Sequence, residues 1–113
     1  MRVLACTPEG KKLQNDRDAI ELIGEALQTG ARVVVIPVER FEDDFYRLRT
    51  RIAGEIVQKF VQYGRRLAIV GDISRYEAGS SAFAAFVYEA NRGEDIWFVP
   101  DLAELEKRLA QRT

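Results

Sequence analysis

Four short apolar runs alternate along the chain with four stretches in which apolar residues recur every three or four positions. The runs are rich in β-branched residues and predict strands over residues 2–6, 32–38, 66–70 and 95–99. The periodic stretches predict helices over residues 16–28, 43–63, 81–91 and 101–111. The order β-α-β-α-β-α-β-α with short connections predicts an α/β fold, a single domain over residues 1–113 with a mostly parallel sheet and right-handed crossovers.

The predicted strands do not alternate apolar and polar residues. Leu67 and Ile69 point to one side of the sheet while Ala68 and Val70 point to the other, so both faces are apolar. Two arrangements would cover both faces. Either a partner covers the second face, most simply a second copy in a homodimer, or some helices cross to it and give a small doubly wound sheet.

The predicted helix over residues 43–63 is unusually long. About 21 helical residues span roughly 31 Å, whereas a strand covers roughly 17–20 Å, so we expect its N-terminal end to project beyond the sheet. The charged and aromatic stretch 39–51 is then either a partner surface or a solvated helix end. Gly54, in the middle of the helix, indicates close approach to the sheet or to another helix. The candidate partner-binding residues here are Glu39, Arg40, Asp43, Asp44 and Tyr46.

Charge and composition weigh against several partners. The 17 basic and 18 acidic side chains nearly cancel, so a nucleic-acid partner is not expected. No apolar run approaches the roughly 20 residues that span a bilayer, so a membrane association is not expected either. The single cysteine excludes an internal disulfide and favours a cytoplasmic location.

The chain contains no histidine. It therefore lacks the usual general base near neutral pH, the Ser-His and Cys-His nucleophile pairs and the commonest zinc ligand. Carboxylates, lysine or Mg²⁺ can still support catalysis, but the composition favours a binding function over an enzyme. No cofactor is expected.

The carboxyl ends of the strands are where ligands bind in parallel sheets. Glu39, Asp72 and Asp101 each follow a predicted strand and would suit an acidic Mg²⁺ site. The alternative is that Asp72 and Asp101 cap turns or helices and that Glu39 is solvated, and this interpretation is favoured because helix N-caps place acids on such loops in any case.

The stretch SRYEAGSS, residues 74–81, contains the residue types of an anion-binding loop. Ser74, Arg75, Ser80 and Ser81 could hold a phosphate together with the amides of a helix start. The stretch has one glycine and no phosphate-loop motif. A plain helix N-cap at Ser80 or Ser81 is therefore the favoured interpretation.

Several motifs resemble one bacterial family, the domain-of-unknown-function family 4180. These are AGEIVQKF, RLAIVGDIS, FVYEANRG and DIWFVPD, which occur in order within residues 41–106. The family implies no activity, cofactor or catalytic residue. Its pattern includes an N-terminal strand that this sequence lacks, so the resemblance leaves the size of the sheet open.

A broader resemblance is to STAS domains, the anti-sigma-factor antagonists and the cytoplasmic tails of sulfate transporters. It rests on the succession GARVVVIPV, long helix, YGRRLAIVGD and DIWFVPDLAELEKRL, and it implies a βα superhelix that binds proteins or nucleotides. The antagonists carry a phosphorylatable serine where FEDDFYRLRT stands here, so that switch does not transfer. We expect a non-enzymatic regulatory or protein-binding module. The alternative is a small-molecule or phosphate binder, or a weak Mg²⁺-dependent enzyme.

Overall fold

The computed structural model describes residues 2–111 and confirms an α/β fold. The strands are β1 (Val3–Ala5), β2 (Val33–Pro37), β3 (Arg66–Val70) and β4 (Ile96–Val99). The α-helices are α1 (Asp16–Thr29), α2 (Ile52–Gln62), α3 (Ser74–Gly79), α4 (Ser81–Arg92) and α5 (Leu102–Gln111). The strands form one sheet in the order β1-β2-β3-β4, and each pair of neighbours is parallel. Within residues 2–111, no helix combines the length and the apolar character needed to cross a membrane.

The main core lies between one face of the sheet and helices α1, α2 and α4. The register brings Val34, Leu67 and Ile96 side by side on this face. The same buried cluster includes Phe60 of α2 and Phe83 of α4, both fully buried. Every second residue of each apolar run thus points into this core, and the residues between them point to the opposite face of the sheet.

The opposite face of the sheet is covered within the chain by α5. Trp97 and Ala68 are fully buried there, and Leu105 of α5 packs in the same cluster. A helix of the chain itself therefore covers the second face. The sequence alone did not decide whether a helix or a partner would do so. Helix α5 contacts β3 and β4, whereas Val3 on β1 remains 44% exposed.

The prediction of one long helix over residues 43–63 is wrong. Only Ile52–Gln62 is α-helical, and three short 3-10 turns occupy Val38–Arg40, Asp43–Tyr46 and Leu48–Thr50. The predicted projecting end does not exist, since this segment folds back against the core. Three successive turns keep apolar residues three or four positions apart, so the sequence pattern was almost that of a helix.

The backbone at residues 50–51 separates the 3-10 turns from α2. Arg51 has a φ of 67°, in the left-handed region, and this interrupts any continuous helix. The Thr50 hydroxyl donates to the Asp44 and Arg47 carbonyls, at 2.7 and 2.8 Å, which ties the last turn to the preceding one. The same hydroxyl oxygen accepts from the amide of Ile52 at 3.3 Å, at the first residue of α2.

Gly54 is not a close-packing position. A Cβ placed on it would have nothing within 4 Å, so the expected approach to the sheet or to another helix is wrong. We therefore expect Gly54→Ala to raise the free energy of unfolding by about 1 kcal/mol, because alanine loses less backbone entropy in a helix. Urea unfolding of the two proteins measures this, and an unchanged or lower stability would contradict it.

The side chains of Asn15 and Asp18 fix the start of α1. The side chain of Asn15 accepts from the amide of Asp18 at 3.1 Å, which makes Asn15 the N-cap of the helix. In return the Asp18 carboxylate accepts from the amide of Gln14 at 2.8 Å and pairs with Lys11 at 3.0 Å. Asp18 is buried, and this carboxylate anchors the loop before α1.

We expect Asp18→Asn to lower the free energy of unfolding at neutral pH by about 1 kcal/mol. Burial raises the pKa of Asp18, but the hydrogen bonds from Gln14 and Lys11 outweigh it and leave the pKa below its usual value. A lowered pKa contributes stability above the unfolded pKa of about 3.9, and this is lost as the pH falls through the folded pKa. The difference between the variant and the wild type should therefore shrink in acid. A difference that stays constant or grows there would contradict this role.

Candidate functional site

The carboxyl ends of β2 and β3 open onto a surface depression of about 320 Å³. The chain leaves β2 in a 3-10 turn and leaves β3 through Gly71 and Asp72 into α3. We call the polar residues around this depression the carboxyl-edge surface: Lys12, Glu39, Asp43, Asp72, Arg75 and Tyr76. Four of the sequence candidates therefore lie together, namely Glu39, Asp43, Asp72 and Arg75.

The turn after β3 is built around Gly71. Its φ is 142°, and a Cβ at this position would lie 2.5 Å from Cγ2 of Val38. Asp72 follows it and accepts from the amide of Ser74 at 2.9 Å. The hydrogen bonds from Ser74 lower the pKa of Asp72. Gly71 and Asp72 thus form the turn that carries a buried strand into α3.

Tyr46 lies buried beneath the carboxyl-edge surface. It is 3% exposed, and its hydroxyl donates to the carbonyl of Val38 at 2.8 Å. Burial, reinforced by the nearby Tyr76 and the carboxylates of Glu39 and Asp43, raises the pKa of Tyr46, so the phenol remains a donor. Its ring stacks on Tyr76 with centroids 3.9 Å apart and an angle of 10° between the planes. This pair joins the 3-10 segment to α3.

Charged groups are held on the outer side of this tyrosine pair. The hydroxyl of Tyr76 donates to Asp43 at 3.1 Å and accepts from the guanidinium of Arg75. The Arg75 guanidinium carbon lies 4.6 Å from the ring centroid of Tyr76, and its nitrogen is 3.8 Å from the Asp43 carboxylate. The three side chains form one network of hydrogen bonds and an ion pair on the solvent side of Tyr76.

The other sequence candidates have structural contacts elsewhere. Arg40 donates to the Thr7 and Lys11 carbonyls and holds the N-terminal loop. Asp44 pairs with Arg47 at 3.4 Å and lines a different depression.

The serine candidates and Asp101 lie at helix starts. Ser80 caps α4 by accepting from the amide of Phe83 at 3.1 Å, and Ser81 is the first residue of that helix. Asp101 accepts from the amide of Glu104 at 2.9 Å at the start of α5. The capping roles favoured from the sequence for Ser80 and Asp101 are therefore present.

The candidate residues for a metal ion or a phosphate are not arranged as such a site requires. Within residues 2–111, no group of three or more Asp, Glu or Cys side chains is placed to hold a metal ion. Glu39 and Asp72 share the depression, but Asp101 lies at the start of α5. The stretch considered as an alternative anion-binding loop contains the short helix α3, which the sequence did not predict.

Sequence reasoning missed Tyr76 and Lys12 as members of the site. Tyr76 lies in the stretch 74–81, whose serines and arginine alone suggested a function. Its stacking partner, Tyr46, is 30 positions earlier in the chain. An aromatic residue two positions after Ser74 was the available signal. Nothing in the local pattern around Lys12 points to this edge of the sheet.

Comparison with known families gives one match. The family described as a domain of unknown function (DUF4180) matches residues 1–109. The match covers nearly the whole chain and confirms the family resemblance drawn from the motifs. No curated protein and no solved structure matches the chain. The broader resemblance to STAS domains therefore stays a prediction.

Proposed function

Because the chain belongs to the DUF4180 family, whose description names no activity, we propose a function from the carboxyl-edge surface: a non-enzymatic module that binds another protein there. The observation that carries this proposal is the ordered network of Asp43, Arg75 and Tyr76 on the buried ring of Tyr46. A cytoplasmic location is part of the proposal, since Cys6 is a free thiol.

Tyrosine and arginine are among the residue types enriched at the energetic hot spots of protein interfaces. Here they occur together, with Arg75 lying over Tyr76 and Tyr76 stacked on Tyr46. A surface that is ordered before binding loses less side-chain entropy when a partner arrives. The network therefore supplies a central contact of aromatic and charged groups, while Lys12 and Glu39 add charge around it.

The exposure of this surface favours a protein over a small molecule. Pockets for small ligands bury about 70–90% of the ligand surface. Here the side chains of Arg75 and Asp43 are 76% and 70% exposed, so a small ligand would stay largely in water. The small-molecule, phosphate and Mg²⁺ alternatives have no comparable observation in their favour, and phosphate or nucleotide is expected to leave the melting temperature unchanged.

The test is quantitative capture of interacting proteins from a lysate of the native host. Wild-type protein and Arg75→Ala are immobilised at equal density, and bound proteins are quantified by mass spectrometry. We expect at least one protein to be captured by the wild type and to fall by about tenfold or more on Arg75→Ala, as for a central interface residue. Arg75 is exposed, so the melting temperature should hardly change.

The matched control is Arg92→Ala. Arg92 is also exposed, pairs with Glu89 at 3.7 Å and lies 5.7 Å from the ring centroid of Tyr88, but it is on α4. Capture by Arg92→Ala should equal that of the wild type. Equal capture by all three proteins, or an equal loss on both variants, would overturn the proposal. A saturable rise in melting temperature with phosphate that Arg75→Ala abolishes would favour the phosphate alternative.

A further inference from the structure

Strand β1 forms one edge of the sheet, and its outer side has no neighbouring strand within residues 2–111. The amide of Cys6 donates to Val35 in β2, and the carbonyl of Arg2 accepts from an amide just before that strand. In a parallel ladder the residues that bond to one neighbour alternate with those that face the other way. The amides and carbonyls of Val3 and Ala5 therefore point outward, away from β2.

We propose that this edge pairs with the same edge of a second copy of the chain, in an antiparallel arrangement around a two-fold axis at Leu4. In that register Val3 of one copy lies opposite Ala5 of the other, and the outward amides and carbonyls of both residues meet. Arg2 then lies opposite Cys6, so no charge faces a like charge directly across the ladder. The two sheets become one continuous sheet of eight strands.

An entropy argument and an observation favour a second copy as the occupant. A flexible peptide would lose backbone entropy at every residue it adds to a three-residue edge, whereas a second copy presents the same edge already ordered. The second face of β1 also carries apolar groups outside the contact of α5 with β3 and β4. Val3 is 44% exposed there, and the two-fold arrangement places it beside Ala5 of the other copy. This surface is separate from the carboxyl-edge surface.

Sedimentation velocity across micromolar to submillimolar concentrations tests the proposal. The wild type should show a reversible dimer. Ala5→Pro removes an outward amide that β2 does not use, and Val3→Lys places charges beside the two-fold axis. Each variant should raise the dissociation constant of the dimer by more than about tenfold with a circular dichroism spectrum like that of the wild type.

Val61→Lys is the matched control, because Val61 is 49% exposed on α2 and receives the same substitution. It should dimerise like the wild type. A wild-type monomer at all concentrations, or a dimer that persists in Ala5→Pro and Val3→Lys, would overturn the proposal. Arg75→Ala should dimerise normally, and Val3→Lys should still capture the partner of the carboxyl-edge surface, so either proposal can fail without the other.

Discussion

Gly71→Ala is expected to lower the free energy of unfolding by about 3 kcal/mol, since it combines backbone strain with overpacking. Gly71 has a φ of 142°, where residues with a side chain are strained. Its new Cβ would also lie 2.5 Å from Cγ2 and 3.0 Å from Cγ1 of Val38. Neither atom is the end of a long flexible chain, so the turn after β3 has to move. Urea unfolding monitored by circular dichroism measures the loss.

Two controls separate the causes of this loss. Gly64→Ala also places alanine at positive φ, 66°, but nothing lies within 4 Å of its Cβ, so it should cost only about 1–2 kcal/mol. In a Val38→Ala background, Gly71→Ala should cost less than in the wild type, because the two closest contacts, to Cγ1 and Cγ2, are removed. A cost for Gly71→Ala no larger than that for Gly64→Ala would contradict the packing described here.

Trp97→Ala is expected to lower the free energy of unfolding by about 3–5 kcal/mol, the range for a buried aromatic residue. Trp97 is fully buried on the face that α5 covers. Its indole nitrogen donates to the carbonyl of Gly93 at 2.9 Å. The guanidinium carbons of Arg66 and Arg108 lie 4.4 and 4.2 Å from its ring centroid. The substitution removes these contacts and leaves a cavity under α5.

Tyr88→Ala is the control for Trp97. Tyr88 is also an aromatic residue beside an arginine, Arg92, but it is 64% exposed. Its replacement should change the free energy of unfolding by less than about 0.5 kcal/mol. If Trp97→Ala cost as little, the second face of the sheet would not be buried by the chain's own helix.

The sheet was predictable because its strands are short apolar runs with clear ends. The range 66–70 was predicted for β3 and is the range observed. Strand β2 ends at Pro37, a residue that has no amide to donate to the ladder. The capping chemistry was equally local. Asn15 and Ser80 cap α1 and α4 because a short polar side chain before a helix can accept from its free amides.

The errors arose where local pattern does not determine backbone conformation. Successive 3-10 turns preserve the spacing of Phe45, Leu48 and Ile52 that a helix would give. The break itself lies at Arg51, whose positive φ has no sequence marker, since glycine or asparagine is the usual residue there. Helix α3 spans six residues, too few to show a helical period.

The site was predictable in part. Strand ends in a parallel sheet share one edge, and this correctly brought Glu39 and Asp72 together. The contact between Tyr46 and Tyr76 could not be predicted, because it depends on how the 3-10 segment folds over the edge. The same limit applies to α5, since two apolar faces indicate that something covers them but not which helix does so.

Hydrogen–deuterium exchange of the protein, with and without the partner it captures, tests the proposed docking surface most directly. Amides in residues 38–50 and 72–79 should exchange more slowly in the complex, because these segments build the carboxyl-edge surface. The outer helices α1 and α2 should be unaffected. Protection confined to those helices, with unchanged exchange at residues 38–50 and 72–79, would contradict the proposal.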